Sequence, residues 1–334
     1  MKELELYPMK FEPIYQYRIW GGRRLANLLK KPLPLKDSIG EAWILSDRDD
    51  YPSKVSFGRL KGQTIKQVLN AYPDQLMGKL SGKFKRFPLL LKFLDAKKVL
   101  SVQVHPSDKL LDYIPEGENG KTEAWLVLEK GKDSKIYAGL KPGTTNIDLE
   151  SSIIKHEVAD KLASFIPMVG DGILIKAGTV HSLGDVMVFE IQENSDVTYR
   201  LYDWDRVDEK TGKPRELQVE KALACTDFGQ IEIGPVVPVI ETDGPEKREK
   251  LFDNEHFKLW RLTGSIPFMV GKPEVPRILV CVNGTGELEV HGDLYKINKG
   301  EVLLIPAING ACPFVPAGNV VLLEIEIPEK PIIN

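Results

Sequence analysis

The stretch GDGILIKAGTVH, Gly170 to His181, has a counterpart further along the chain in GEVLLIPAINGA, Gly300 to Ala311. Aligning Gly170 with Gly300 matches an acid, an aliphatic run and Ala177 with Ala307. Each copy reads as turn, short apolar strand and turn, so the repeat implies that one β-structure is built twice. Around the first copy lie further short strand-like pieces, KTEAWLVLEK, KIYAGL, DVMVFEIQ and DVTYRLYDW, separated by Gly, Asp and Asn turns. Around the second lie HFKLWRLTG, RILVCVNGTGELEV, DLYKINKG and NVVLLEIEI. Many short strands with turn chemistry between them predict a mainly β protein of two jelly-roll barrels, not a parallel α/β sheet.

The spacing of Gly170, Gly178 and His181 resembles the second strand motif of the cupin barrels, in which the histidine binds a metal, although Lys176 stands where proline is usual. Ala311 takes the place of His181 in the second copy. The first barrel is therefore expected to hold a metal and the second to lack metal ligands. The expected organisation is a catalytic cupin domain over 1–233, a connection over 234–255 that is rich in Pro and charge, and a cupin-like domain over 256–334. Apolar residues at helical spacing predict helical insertions near 64–80 (Ile65, Val68, Leu69, Leu76) and 147–165 (Leu149, Ile153, Ile154, Val158, Leu162). His156, on the polar side of the latter, reads as a solvated surface histidine. His256 and His291 fall in the second barrel without partner ligands, and no chemistry is expected of them.

The 334 residues are 42% hydrophobic and 28% charged, the composition of a soluble globular chain. A net charge of -3 gives no positive field for nucleic acid or an anionic membrane. Neither an apolar signal core at MKELELYPMKF nor an apolar run of membrane-spanning length is present. Cys225, Cys281 and Cys312 are odd in number and lack metal-type spacing, as expected of buried thiols in a reducing cytoplasm.

Candidate chemistry gathers in the first barrel. In FPLLLKFLDAKKVLSVQVHPSD, Phe87 to Asp108, the polar residues Ser101, Gln103 and His105 alternate with Val102 and Val104, so they line one face of a strand. Lys121 and Glu123 alternate in the same way in KTEAWLVL. Gln103, His105, Glu123 and His181 would supply an amide oxygen, two imidazoles and a carboxylate, enough to hold one zinc ion and leave space for a substrate oxygen. Glu190, among Val186, Val188 and Phe189, is either a carboxyl tuned by desolvation for proton transfer or one half of a structural pair with Arg200. As a fixed cation, Arg200 could hold an anionic group or a developing oxyanion.

These runs, together with IWGGRRL, GEAWILSD, AGTVHSLG and FEIQENSDVTYRLYDWDR, resemble type I mannose-6-phosphate isomerase in its short bacterial form. The resemblance spans nearly the whole chain, is strongest from Phe87 to Arg206 and weakens after Gly234. It implies a zinc-dependent aldose–ketose isomerase of cupin fold that interconverts mannose 6-phosphate and fructose 6-phosphate through an enediolate, in the cytoplasm, as a monomer or homodimer. It places the zinc ligands at Gln103, His105, Glu123 and His181. Ser101, Lys121 and Lys92 are then expected at the substrate's phosphate, with Lys121 and Arg200 also catalytic and Glu190 as the proton-transfer acid. The large helical domain of longer members is missing here. A cupin oxygenase and a non-catalytic sugar-phosphate-binding cupin are the alternatives.

Overall fold

The structure, a computed structural model, describes residues 5–35 and 37–329. Nine strands form the first sheet: β1 (Ile14–Gly22), β2 (Ile39–Leu45), β3 (Leu89–Ala96), β4 (Val102–Val104), β5 (Glu123–Leu140), β6 (Leu162–Phe165), β7 (Gly172–Ile175), β8 (His181–Glu193) and β9 (Tyr199–Tyr202). Their main path is β1-β2-β3-β8-β4-β9, and β5 pairs with β6, β7 and β8. Every ladder in this sheet is antiparallel. The fold is mainly β, as the turn-punctuated sequence implies.

The run LLLKFLDA of β3 is buried along its whole length because both faces of the sheet are covered. Leu91, Phe93, Phe189 and Ile191 pack in one direction, in a core that also contains Leu259, Ile278, Leu323 and Ile325 of the C-terminal half. Leu94, Val188, Trp125 and Ile173 pack in the other, inside the first sheet. Strand alternation thus sends Lys92 and Glu190 inward, and the β3–β8 register sets them directly opposite each other.

The second half has a six-stranded antiparallel sheet in the spatial order Val239–Asp243, Glu246–Asp253, Lys258–Gly264, Val320–Glu326, Arg277–Asn283, Val302–Ile305. Facing it is a four-stranded sheet, Phe268–Gly271, Ala311–Pro316, Thr285–Val290, Asp293–Asn298. A separate apolar core, including Leu262, Phe268, Leu279, Leu288 and Phe314, lies between them. The sequence repeat has a structural counterpart. Gly172–Ile175 and Val302–Ile305 are equivalent short strands, and His181 and Ala311 each open the next one.

The stretch 234–255 does more than connect. It contains the hairpin Val239–Asp243 with Glu246–Asp253, whose strands belong to the six-stranded sheet. Its charges hid the β pattern because their partners lie on other strands: Arg261, directly opposite, holds Glu249 at 2.8 Å, and Arg248 reaches past that strand to Glu324 at 2.7 Å.

The insertion near 64–80 is helical, in three short pieces: Ile65–Ala71, Pro73–Met77 and a 3-10 turn at Gly78–Leu80. Thr64 and Gln67 form a capping box at its start, and Pro73, which cannot donate a hydrogen bond, opens a new helix. The insertion near 147–165 is helical only at Asn146–Ile154 and in the 3-10 turn Val158–Lys161; Leu162–Phe165 is strand β6. His156, in the left-handed region at φ 59°, ends the helical path there. It is exposed, as expected, and pairs with Asp205 at 2.8 Å.

Candidate active site

Register builds the site from neighbouring strands. Gln103 lies opposite His181, and Trp125 lies opposite Glu190. Glu123, at the start of β5, sits between Ile175 of β7 and Gln192 of β8. Backbone bonds from Lys121 N–H to the Pro106 carbonyl and from Glu193 N–H to the Thr122 carbonyl fix the approach to β5.

Three of the four expected ligands form a buried cluster. His105 Nε2 is 3.3 Å from Glu123 Oε2, and His181 Nε2 is 3.4 Å from Glu123 Oε1. The Gln103 amide is 3.2 Å from His181 Nε2, and rotation about its last bond turns its oxygen toward the same point. Ring orientation is set from behind. His105 Nδ1 donates to the Val197 carbonyl at 2.9 Å, and His181 Nδ1 donates to the Thr179 carbonyl at 2.8 Å, leaving both Nε2 lone pairs facing Glu123.

These residues fit a metal. Donor atoms around a tetrahedral zinc, with bonds of roughly 2.0–2.1 Å, lie about 3.3 Å apart, close to the spacings seen here. His105 Nε2 and both Glu123 oxygens are buried without a hydrogen-bond partner among the described residues, an arrangement that costs free energy unless something else satisfies them. Burial, reinforced by Lys121, pushes His105 down to about 3, and burial likewise lowers His181, so both rings stay neutral as ligands must. Burial would raise Glu123, but Lys121 and His105 outweigh it and hold the carboxyl well below its usual range. Lys121 Nζ is 3.5 Å from Glu123 Oε2.

Beside this cluster opens a cavity of about 410 Å³, and Lys92, Ser101, Gln103, Lys121, Glu190 and Arg200 all line it. The structure therefore brings every expected site residue either into the cluster or onto this cavity. Glu190 is buried, accepts from Trp125 Nε1 at 2.9 Å and lies 3.2 Å from Lys92 Nζ. Burial raises its proton affinity, the nearby Glu123 adds to this, and Lys92 opposes it. The structural alternative, a Glu190–Arg200 pair, is not formed; the cation at Glu190 is Lys92. Lys92 is only 3% exposed and lies over the Trp43 ring at 5.0 Å. Arg200 donates to the Glu216 carbonyl at 2.7 Å, while its Nε has no partner among the described residues. Burial lowers Arg200 to about 10, helped by Arg215.

The sequence reading missed Arg18, Glu41 and Trp43. Arg18 grips Glu41 at 2.8 and 3.0 Å, and Trp43 Nε1 donates to Glu41 at 2.6 Å. Burial would raise Glu41, yet Arg18 and Lys92 bring it down to about 2. A signal was present: Glu41 interrupts the apolar strand IGEAWIL, as Glu190 interrupts its own. His256 was also misjudged. It lies 3.1 Å from Glu193 of the first sheet, a partner that no local pattern announces.

The family model for the catalytic domain of type I phosphomannose isomerase matches residues 9–128. Mannose-6-phosphate isomerase ManA of Bacillus subtilis (strain 168) is 35% identical over 307 residues, covering 90% of this chain and 93% of its own. The chain belongs to the mannose-6-phosphate isomerase family. Mannose-6-phosphate isomerase of Streptococcus mutans is 32% identical over 304 residues, covering 90% of this chain and 92% of its own. The crystal structure of the Bacillus subtilis mannose 6-phosphate isomerase superposes with a TM-score of 0.87 at 28% identity, covering 96% of this chain and 99% of that one. As a member of this mannose-6-phosphate isomerase family, the protein is an aldose–ketose isomerase of mainly β, cupin-type fold.

Proposed function

We propose that the protein interconverts mannose 6-phosphate and fructose 6-phosphate reversibly, with one zinc ion per chain held by Gln103, His105, Glu123 and His181. The observation that carries this reading is a neutral two-imidazole, one-carboxylate cluster beside a buried carboxyl of raised proton affinity, Glu190. Held by these residues, zinc would supply the positive charge that removal of a proton beside a carbonyl requires.

The chain's own residues do the rest. Glu190 carries the proton between C1 and C2, and its raised affinity suits it both to take the proton and to return it. Lys92 and Trp125 hold its two oxygens in place. Arg200, which lines the cavity, stabilises charge that develops on the substrate oxygens. Lys121 and Ser101, with Lys92 behind them, hold the phosphate at the cavity wall. Lys92 contributes least to that role because Glu190 already takes up its charge.

In this reading residues 1–233 form the catalytic half, and the second barrel, to which the hairpin at 239–253 belongs, brings no ligand to the catalytic metal. The enzyme works in the cytoplasm as a monomer or homodimer. The test is a coupled assay of mannose 6-phosphate to fructose 6-phosphate on metal-stripped protein, with and without added zinc. Turnover that returns with zinc supports the reading; none at any zinc level overturns it.

A further inference from the structure

A second cluster, at the joint between the two halves, has the same physical signature as the first. Asp108, from the loop after His105, and Glu193, at the end of β8, meet His256, from the turn between Glu246–Asp253 and Lys258–Gly264. Their donor atoms lie within 4.8 Å of one another. His256 Nδ1 and Glu193 Oε1 are 3.1 Å apart, yet each is buried without a hydrogen-bond partner among the described residues. The same combination, a ring nitrogen and a carboxylate oxygen close together and both unsatisfied, marks His105 and Glu123. Atoms that are close but not aligned as donor and acceptor are placed as ligands of a common centre would be.

Each member is also held from behind. Glu193 is 1% exposed; its other oxygen accepts from Thr122 N–H at 2.6 Å. Asp108 accepts from Gly120 N–H at 2.7 Å. Asn254 Oδ1 caps the N–H groups of His256 and Phe257 at 2.9 and 3.0 Å, fixing the turn that presents the ring. The far nitrogen of His256 is 3.6 Å from the exposed carboxylate of Glu255. Glu193, Glu255 and Asp108 raise the proton affinity of His256 against its burial, so a bound cation would displace that proton, and the carboxylates leave the cluster negative even while it is held.

We propose that Asp108, Glu193 and His256 bind a second divalent cation, of the zinc or manganese class that one imidazole and two carboxylates suit. Bound there, it ties the second half of the chain to Gly120 and Thr122, the residues on either side of Lys121. Its role is structural, and the proposal does not depend on which reaction the first site performs.

The test is metal analysis of chelator-stripped protein, equilibrated with zinc and then dialysed against metal-free buffer. The wild type is expected to retain two zinc ions per chain. Glu193→Gln and His256→Gln, which keep side-chain volume, are expected to retain one, as is His181→Ala through loss at the other cluster. In His181→Ala, zinc should raise the melting temperature; in His181→Ala combined with His256→Gln it should not. A wild type that binds a single zinc, or a zinc content unchanged by His256→Gln, overturns the proposal and leaves the cluster an ion pair. If the Glu193 or His256 variants fail to fold, the zinc titration of His181→Ala decides, and absence of a thermal shift there overturns the proposal.

Discussion

Trp125→Phe isolates one hydrogen bond to the proposed proton carrier. The indole Nε1 donates to Glu190 Oε2 at 2.9 Å in a fully buried setting. Phenylalanine keeps an aromatic ring at the T-shaped contact with His181, whose centroid lies 5.5 Å away, but has no donor. A hydrogen bond to a charged group contributes about 1.5–3 kcal/mol. It favours the ionised form of Glu190, so its loss should raise a proton affinity that is already high, by roughly 1–2 pKa units. A base with a raised pKa is lost to protonation as pH falls, and raising it further starts that loss at higher pH. The acid limb of kcat/KM for mannose 6-phosphate should therefore move up by about 1–2 pH units, with activity recovering well above it. A coupled assay across pH, paired with a melting curve to register the small cavity left by the smaller ring, measures this. An acid limb that stays in place while activity falls equally at all pH values refutes the assignment of Glu190 as the titrating base.

Other outcomes follow from the same geometry. His181→Ala removes one imidazole from the first cluster and should lose its zinc and the isomerase activity together while the fold persists; metal analysis that still finds zinc bound there removes His181 from the ligand set. Glu190→Gln should keep that zinc and lower kcat by about 10² to 10⁴, the usual contribution of a general base, and an unchanged rate returns Glu190 to a structural role. Gly22→Ala should destabilise by about 1–3 kcal/mol, because a Cβ there would lie 2.5 Å from the Asp95 carboxylate that holds Arg24 N–H and Nε. Urea unfolding checks it: a midpoint equal to that of the wild type would mean that Asp95 can shift without cost.

Features with strict period were legible in the sequence. Alternation placed Ser101, Gln103 and His105 in one row, and the repeat found equivalent strands in both halves, because a strand's side-chain direction is set locally. Contacts made by distant segments were not legible. The partner of Glu190 proved to be Lys92 across β3 and β8 instead of Arg200 ten residues on, since strand pairing outweighs closeness in sequence. The same holds for His256, whose partner comes from the other half of the chain. The hairpin at 239–253 was hidden because its alternating charges pair across strands, so they read as solvated polarity until the neighbouring strand is known. At 147–165 the apolar spacing persisted past His156, but the backbone turned there.

The apolar core shared by the two halves bears on how the chain can be divided. Met9 exchanges both backbone hydrogen bonds with Leu304 at 2.8 Å, and the Asn309 amide donates to the Leu6 carbonyl, so Leu6 and Met9 are stitched onto the six-stranded sheet and the turn that follows its edge strand. Cutting the chain near 234 would strip the cover from Phe93, Phe189 and Ile191 and leave their strand faces open to self-association. The C-terminal half, though it brings no residue to the first cluster, covers the far side of the wall that holds Lys92 and Glu190. Unfolding should accordingly be a single event, and a graft that exchanges the C-terminal half for another must reproduce that buried face before it can preserve the site.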